Sequence, residues 1–189
     1  MLLDNYQGKL LVSQPKSLGG FFDEGVVLIV KHSAKGAWGL MVNKVITSSD
    51  ACLADIFHQV GMENINHVNA PLYSGGPLER QRVCVLHSAD WTSDTTQEVA
   101  PGLCITTDLS ILSAIAANQG PEKYRVTCGV SVWGAGQLEG EMKGEPPWTQ
   151  QHRWMTVPAK PYNVFELELQ GQWQQCLAQA ITLEVRELF

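Results

Sequence analysis

The stretch Tyr124-Arg125-Val126-Thr127-Cys128-Gly129-Val130-Ser131-Val132-Trp133-Gly134-Ala135-Gly136-Gln137-Leu138-Glu139 decides how the chain is read. Tyr124 to Val132 is rich in β-branched residues and predicts a strand. Glycines follow, and Gln137 to Lys143 predicts a short helix. Glycines between a strand and a helix let main-chain N–H groups converge, and with the helix dipole they favour an anion such as phosphate or carboxylate. The spacing Gly134, Gly136, Gly140 on a late strand differs from the dinucleotide G-x-G-x-x-G, which follows the first strand of a βαβ unit. A tight turn that lets Trp133 pack is the competing reading of the same residues.

Outward from this stretch, strand and helix signals alternate. Strands are predicted at Lys9 to Ser13, Val26 to Lys31, Gly39 to Val42, Val83 to His87, Leu103 to Thr106 and Val164 to Leu169. In the last, Phe165, Leu167 and Leu169 alternate with Glu166 and Glu168, as in a strand with one wet face. Ser48, Ser49 and Asp50 offer an N-cap before the stripe Leu53, Ile56, Phe57, Val60, which stops at Gly61. Asp108 caps a second helix carrying Leu109, Leu112, Ile115 and Ala116, closed by Gly120 and Pro121. Trp173, Cys176, Leu177 and Ala180 share one helical face, and Gly144 to Gln151 reads as an exposed loop. The pattern predicts one domain over residues 1–189, of α/β class with α+β as the alternative, around a mixed sheet.

Thirteen Lys and Arg against nineteen Asp and Glu give 189 residues a formal charge of -6, which excludes a strongly basic polyanion binder. Charged residues make up 17%, below the roughly 25% of ordinary soluble domains, and 44% are hydrophobic, so a real core is available. Apolar runs such as Val26 to Val30 fall far short of the roughly 20 residues of a membrane span, and no leader pattern opens the chain. A cytoplasmic location away from membranes is expected. Cys52, Cys84, Cys104, Cys128 and Cys176 are odd in number and widely spaced, which predicts buried thiols rather than a disulfide framework or zinc module.

Candidate chemistry is sparse. Ser74-Gly75-Gly76-Pro77 is a turn whose paired N–H groups form a second anion-binding concavity, and the two glycine turns make one pocket if the fold brings them together. His32 and His87 end strands, where an imidazole serves as base or ligand or simply hydrogen-bonds a neighbour. No G-x-S-x-G elbow, P-loop, H-E-x-x-H or kinase signature occurs. Glu139 and Glu141, two apart on a helix, point to different faces, while Glu122, Lys123 and Arg125 read as a solvated rim. Of the tryptophans, Trp148 and Trp154 flank the loop and are expected to be partly exposed.

Taken in order, these motifs resemble the AlgH/YqgE family of bacterial proteins. The resemblance is carried by Gly8-Lys9-Leu10-Leu11-Val12-Ser13-Gln14-Pro15, Val26-Val27-Leu28-Ile29-Val30-Lys31-His32, Gly36-Ala37-Trp38-Gly39-Leu40-Met41-Val42-Asn43, Ser74-Gly75-Gly76-Pro77, Val83-Cys84-Val85-Leu86-His87 and above all Trp133-Gly134-Ala135-Gly136-Gln137-Leu138-Glu139. It implies a compact domain whose mixed sheet curls into a flattened barrel with packed helices. It carries no established enzymatic activity; the family name derives from a proposed role in transcriptional regulation of exopolysaccharide production. By position it marks His32, Asn43, Gly75, Gly76, His87, Trp133, Gly134, Gly136, Gln137 and Glu139 as signature residues. The chain departs from the family at Asn43-Lys44-Val45, where N-R-P is usual, and at Gly129-Val130-Ser131-Val132-Trp133, where G-Y-A-G-W is usual.

Three functions follow as expectations. The first is a non-catalytic binding or regulatory domain with no cofactor, taking a small anionic ligand or a protein partner through Gly75, Gly76, Trp133, Gly134, Gly136, Gln137, His32, Asn43 and His87. The second, transcriptional regulation, meets the acidic charge balance, which disfavours direct nucleic-acid contact. The third is a hydrolase or transferase with His32 or His87 as base, which needs a reaction partner within hydrogen-bond reach.

Overall fold

The computed structural model describes residues 5–15, 20–47, 53–62, 65, 68, 70–148 and 154–187. Its strands are β1 (Lys9–Ser13), β2 (Val26–Ser33), β3 (Gly36–Met41), β4 (Leu72–Ser74), β5 (Leu78–Ser88), β6 (Gln97–Ala100), β7 (Leu103–Thr106), β8 (Tyr124–Trp133) and β9 (Trp154–Pro158). Its α-helices are α1 (Leu53–Gln59), α2 (Leu109–Ala116), α3 (Gln137–Lys143) and α4 (Leu169–Glu187). The strands form one mixed sheet in the order β6-β7-β5-β8-β3-β2-β1-β9. These neighbours are antiparallel, and β4 adds to β8 in parallel.

The sheet curls, as the sequence resemblance led us to expect. Its inner face gathers Leu10, Val12, Leu28, Val30, Leu40, Cys84, Leu86, Leu103, Ile105, Val130 and Val157 into one apolar cluster, which α4 covers with Cys176, Leu177 and Ala180. Two smaller clusters lie outside the curl: Leu53, Phe57, Ile111, Leu112 and Ile115 of α1 and α2 against Val85 and Val126, and Leu138 of α3 with Trp133 and Trp154. Period-two alternation along β5 and β8 produces this split, since Val85 and Val126 face out where Cys84 and Thr127 face in.

The curl is fastened at Gly8. Its N–H donates to the Ile29 carbonyl at 2.9 Å and its own carbonyl accepts from Ala159, so β1, β2 and the end of β9 meet there. Its backbone is left-handed (φ 73°), and a Cβ would stand 2.9 Å from the Val99 carbonyl oxygen of β6.

The expected helices form at α1, α2, α3 and α4, with Asp108 accepting the Ser110 N–H at 2.8 Å as the cap of α2. Gly61 ends the first with φ 76°; its proposed cap, Ser48, Ser49 and Asp50, lies outside the described residues, as do Cys52 and residues 149–151 of the expected loop. The predicted strand Val164 to Leu169 is overturned: Tyr162–Glu166 is a single π-helical turn, and Leu169 already opens α4. Asn163, Val164 and Leu167 are the buried residues there. Their spacing is helical, and the alternation of charge outside them was coincident with it. Strands β4, β6 and β9 were not expected. They are short, β6 reads Gln-Glu-Val-Ala, and β9 ends at Pro158 on the sheet edge, where a proline removes no ladder bond.

Replacing Gly8 by Ala forces a side chain into a left-handed backbone and against a carbonyl. We expect a loss of roughly 2–4 kcal/mol, measured as a lowered urea midpoint with an unchanged m-value.

Candidate functional site

The turn from β8 into α3 closes on itself. Trp133 Nε1 and Trp154 Nε1 both donate to Glu141 Oε2 at 3.0 Å, and Gln137 Nε2 donates to Glu141 Oε1 at 2.9 Å. Gln137 Oε1 in turn accepts the Gly134 N–H at 3.0 Å. A buried carboxylate is tolerated when donors surround it, and here two indoles and an amide do so. Gly136 supplies the left-handed residue before α3 (φ 73°), and Gly140 leaves space that the Trp148 ring fills. Trp154, expected to be partly exposed, is 3% exposed because Glu141 and the rings of Phe22 and Trp133 enclose it. The N–H of Gly134 thus serves the Gln137 side chain.

On the other face of α3, Glu139 reaches His32. The Tyr6 N–H donates to His32 Nδ1 at 3.3 Å, which leaves Nε2 as the protonated nitrogen that donates to Glu139 Oε1 at 3.0 Å. Oε2 of Glu139 is buried and accepts no hydrogen bond from the described residues. The pair ties β2 to α3. His87 is fully buried: Nδ1–H donates to the Ser88 carbonyl at 2.9 Å, and Nε2 pairs with the Thr106 hydroxyl at 3.0 Å, which itself touches Thr96. Burial holds the His87 imidazole below its ordinary pKa, opposed by the Ser88 bond and the Asp90 charge. Both histidines have structural partners on both nitrogens, so neither offers a free base to a substrate. Asn43 is a loop clamp, accepting from Val26 N–H at 2.8 Å and donating to the Glu24 carbonyl at 2.7 Å.

Gly75 and Gly76 lie along the middle of β8, whereas the 133–137 turn sits at its end. The Gly75 N–H donates to the Cys128 carbonyl at 2.8 Å, and the Gly75 carbonyl accepts from Met41 N–H and the Ser131 hydroxyl. Cβ atoms would stand 2.3 Å from the Gly129 oxygen at Gly75 and 2.0 Å from the Val130 carbonyl carbon at Gly76. These glycines permit main chain to touch main chain.

Gly76 nevertheless lines a cleft of about 480 Å³, with Phe21, Ile46, Thr47, Ser74, Arg80 and Cys128. Arg80 is exposed and has no ion pair or hydrogen bond to the described residues. Burial pushes the Cys128 thiol up, so it stays protonated and is a poor nucleophile. Phe21, Thr47 and Arg80 were missed as site residues because they come from three separate segments. A second hollow, about 540 Å³, lies between β9 and α4 and is mostly apolar, with Lys160 and Arg186 at its rim. It contains none of the residues singled out from the sequence.

Among the described residues no helix is long and apolar enough to cross a membrane. The geometry defines a class: a curled, mostly antiparallel sheet closed by one long helix, with glycine seams on its central strand. The solution structure of the AlgH protein from Pseudomonas aeruginosa has this architecture, with a TM-score of 0.74 and 28% identity over 96% of this chain and 91% of that one. A crystal structure of a Corynebacterium diphtheriae protein shares the fold, with a TM-score of 0.65 and 22% identity over 89% and 85% of the two chains. The UPF0301 protein of Paraburkholderia phymatum is 34% identical over 179 residues, covering 92% of this chain and 87% of its own. One from Xanthomonas axonopodis is 35% identical over 170 residues, 88% of this chain and 84% of its own. The AlgH-like family profile matches residues 10–182, and the chain belongs to that family.

Glu141→Ala strands the two indole N–H groups and the Gln137 amide without their acceptor. A loss of about 3 kcal/mol or more is expected, with a red-shifted tryptophan emission; Glu141→Gln, which keeps one acceptor oxygen, loses less. His87 gives a pH signature. The unfolded chain takes up a proton near pH 6.5 that the fold resists, so stability is full above that pH and falls as the pH drops below it. Urea midpoints at pH 7 and pH 5.5 should differ less in His87→Asn than in the unsubstituted protein.

Proposed function

We propose that this protein is a non-catalytic ligand-binding domain that takes a small anionic molecule in the cleft beside Gly76. The observation that carries this reading is the exposed guanidinium of Arg80 on the cleft wall, which forms no ion pair or hydrogen bond with the described residues. Arg presents a planar fork of donors suited to carboxylate or phosphate. Ser74 and Thr47 add hydroxyls beside it, and Phe21 and Ile46 supply an apolar wall, the mixture typical of small-molecule sites. The engaged histidines and the protonated Cys128 thiol support binding without chemistry. Regulation then runs through ligand occupancy and a protein partner; a net charge of -6 with scattered cations supports no direct grip on a duplex.

Thermal-shift measurement against inorganic phosphate, sugar phosphates, nucleotides and small carboxylates tests this. A ligand present at ten times its Kd stabilises by about 1.4 kcal/mol, which raises Tm by roughly 3–5 °C for a chain of this size. Arg80→Ala, at an exposed position, should remove the rise and leave the unliganded Tm unchanged. A flat response across the panel, or an undiminished one in Arg80→Ala, sinks the reading.

A further inference from the structure

The hollow between β9 and α4 has two walls of different origin. Along α4, Gln179, Leu183 and Arg186 recur at intervals of four and three, with Thr182 among them, and so share one face of the helix. Cys176, Leu177 and Ala180 take the neighbouring arc into the core, which leaves this stripe turned to the hollow. The opposite wall is the end of β9 and the turn after it, with Val157, Pro158, Lys160 and Tyr162. Asn163 holds that turn: its side-chain oxygen accepts the Lys160 N–H at 2.8 Å, and its amide donates to the Pro158 carbonyl at 3.1 Å. Gln172 of α4 donates to the Asn163 carbonyl at 2.9 Å and so joins the two walls.

Tyr162 and Leu183 stand 52% and 37% exposed in this hollow, which leaves two large apolar side chains in water beside each other's wall. Both charged residues of the lining, Lys160 and Arg186, are cations, and no carboxylate lines it. The two are exposed, and neither forms an ion pair with the described residues. On a chain with nineteen acidic residues against thirteen basic ones, such a lining sets a local field opposite to that of the whole molecule. A volume of about 540 Å³ lies in the range of small-molecule sites. The ten residues that line it are too few for a stable protein interface, which takes roughly 20 to 30 from each side.

We infer that this hollow is a second ligand site, which binds a free medium-chain fatty acid with its hydrocarbon tail against Val157, Tyr162 and Leu183 and its carboxylate at the rim with Lys160 and Arg186. Burial of the tail supplies affinity, about three- to four-fold for each methylene fully removed from water. The cations select the headgroup: Arg186 offers a planar fork matched to two carboxylate oxygens, and Lys160 a point charge. The hollow shares no lining residue with the Gly76 cleft and does not depend on Arg80. Occupancy bridges the sheet edge and the helix that covers the inner face of the curl.

Sodium decanoate and decanol are titrated separately into the 15N-labelled full chain, below the concentration at which either aggregates, and the amide shifts are followed. The expected result is a set of saturable shifts centred on residues 157–163 and 178–186, with decanoate about ten-fold tighter than decanol. Hexanoate should bind about ten-fold more weakly than decanoate, since an open hollow buries each methylene only in part. Lys160→Gln with Arg186→Gln, both at exposed positions, should bring decanoate to the affinity of decanol and leave Tm unchanged. Ala178→Trp, also at an exposed position, fills the hollow and should abolish both responses. Arg80→Ala should leave them intact, so that failure of the cleft and failure of this hollow are read separately. Absent shifts, shifts that do not saturate, or equal affinity for the acid and the alcohol overturn the proposal. A response of the same residues to an acidic amphipathic peptide and not to decanoate also overturns it and identifies a protein-docking face instead.

Discussion

Main chain lies directly on main chain where Gly75 and Gly76 cross Gly129, Val130 and Ser131, and the rest of the architecture is arranged around that contact. No side chain fits there, since even a Cβ at Gly76 would overlap the Val130 carbonyl. Through this seam β4 runs parallel to β8 while β3 and β5 flank it in the other sense. The Gly75 carbonyl joins β3 to β8 by taking hydrogen bonds from Met41, two residues beyond the last β3 residue paired with β8, and from Ser131, which pairs with Gly39. The same seam forms one wall of the cleft, so the glycine turn is architecture and site boundary at once.

From that seam β8 distributes three different environments. Its outer face continues the apolar packing under α1 and α2 and then opens at Cys128 into the cleft. Its inner face sets Arg125 under α4. Its end turns into α3 through a knot in which one carboxylate is shared by two indoles. A strand with a glycine in the left-handed region at Gly129 can change which face it presents midway, and this one does so between its charged and aromatic halves.

Local chemistry was legible in the sequence and long-range pairing was not. Strand β7 and helix α3 form at their expected residues, and Asp108 caps α2, because caps, glycines and alternation act within a few residues. The segment 164–169 misled because six residues can satisfy period two and period 3.6 together, and burial under α4 selected the helical set. Trp133-Gly134-Ala135-Gly136-Gln137 looked like an anion turn because the acceptor that explains it, Glu141, belongs to a buried cluster whose other tryptophan lies in β9. His32 and Glu139 stand 107 residues apart, a distance no local pattern reports. Arg125 was placed with its charged neighbours in sequence, although sidedness along β8 already paired it with Thr127 on the inner face.

The charge balance also explains which anions such a molecule would admit. An acidic surface repels a polyanion approaching along its whole face, but that repulsion is screened over about 8 Å at physiological ionic strength. A single guanidinium in a sheltered site acts over much shorter distances, where the effective dielectric is lower and its attraction is correspondingly stronger. A duplex needs several cations acting together on neighbouring phosphates, and here Arg80 stands exposed on β5 while Arg125 is buried on β8, so the two do not line one extended surface. A small oxyanion needs one fork and a sheltering wall. On the proposed reading, the exposed fork at Arg80 on a chain of net charge -6 favours a small anion by geometry and disfavours nucleic acid by field.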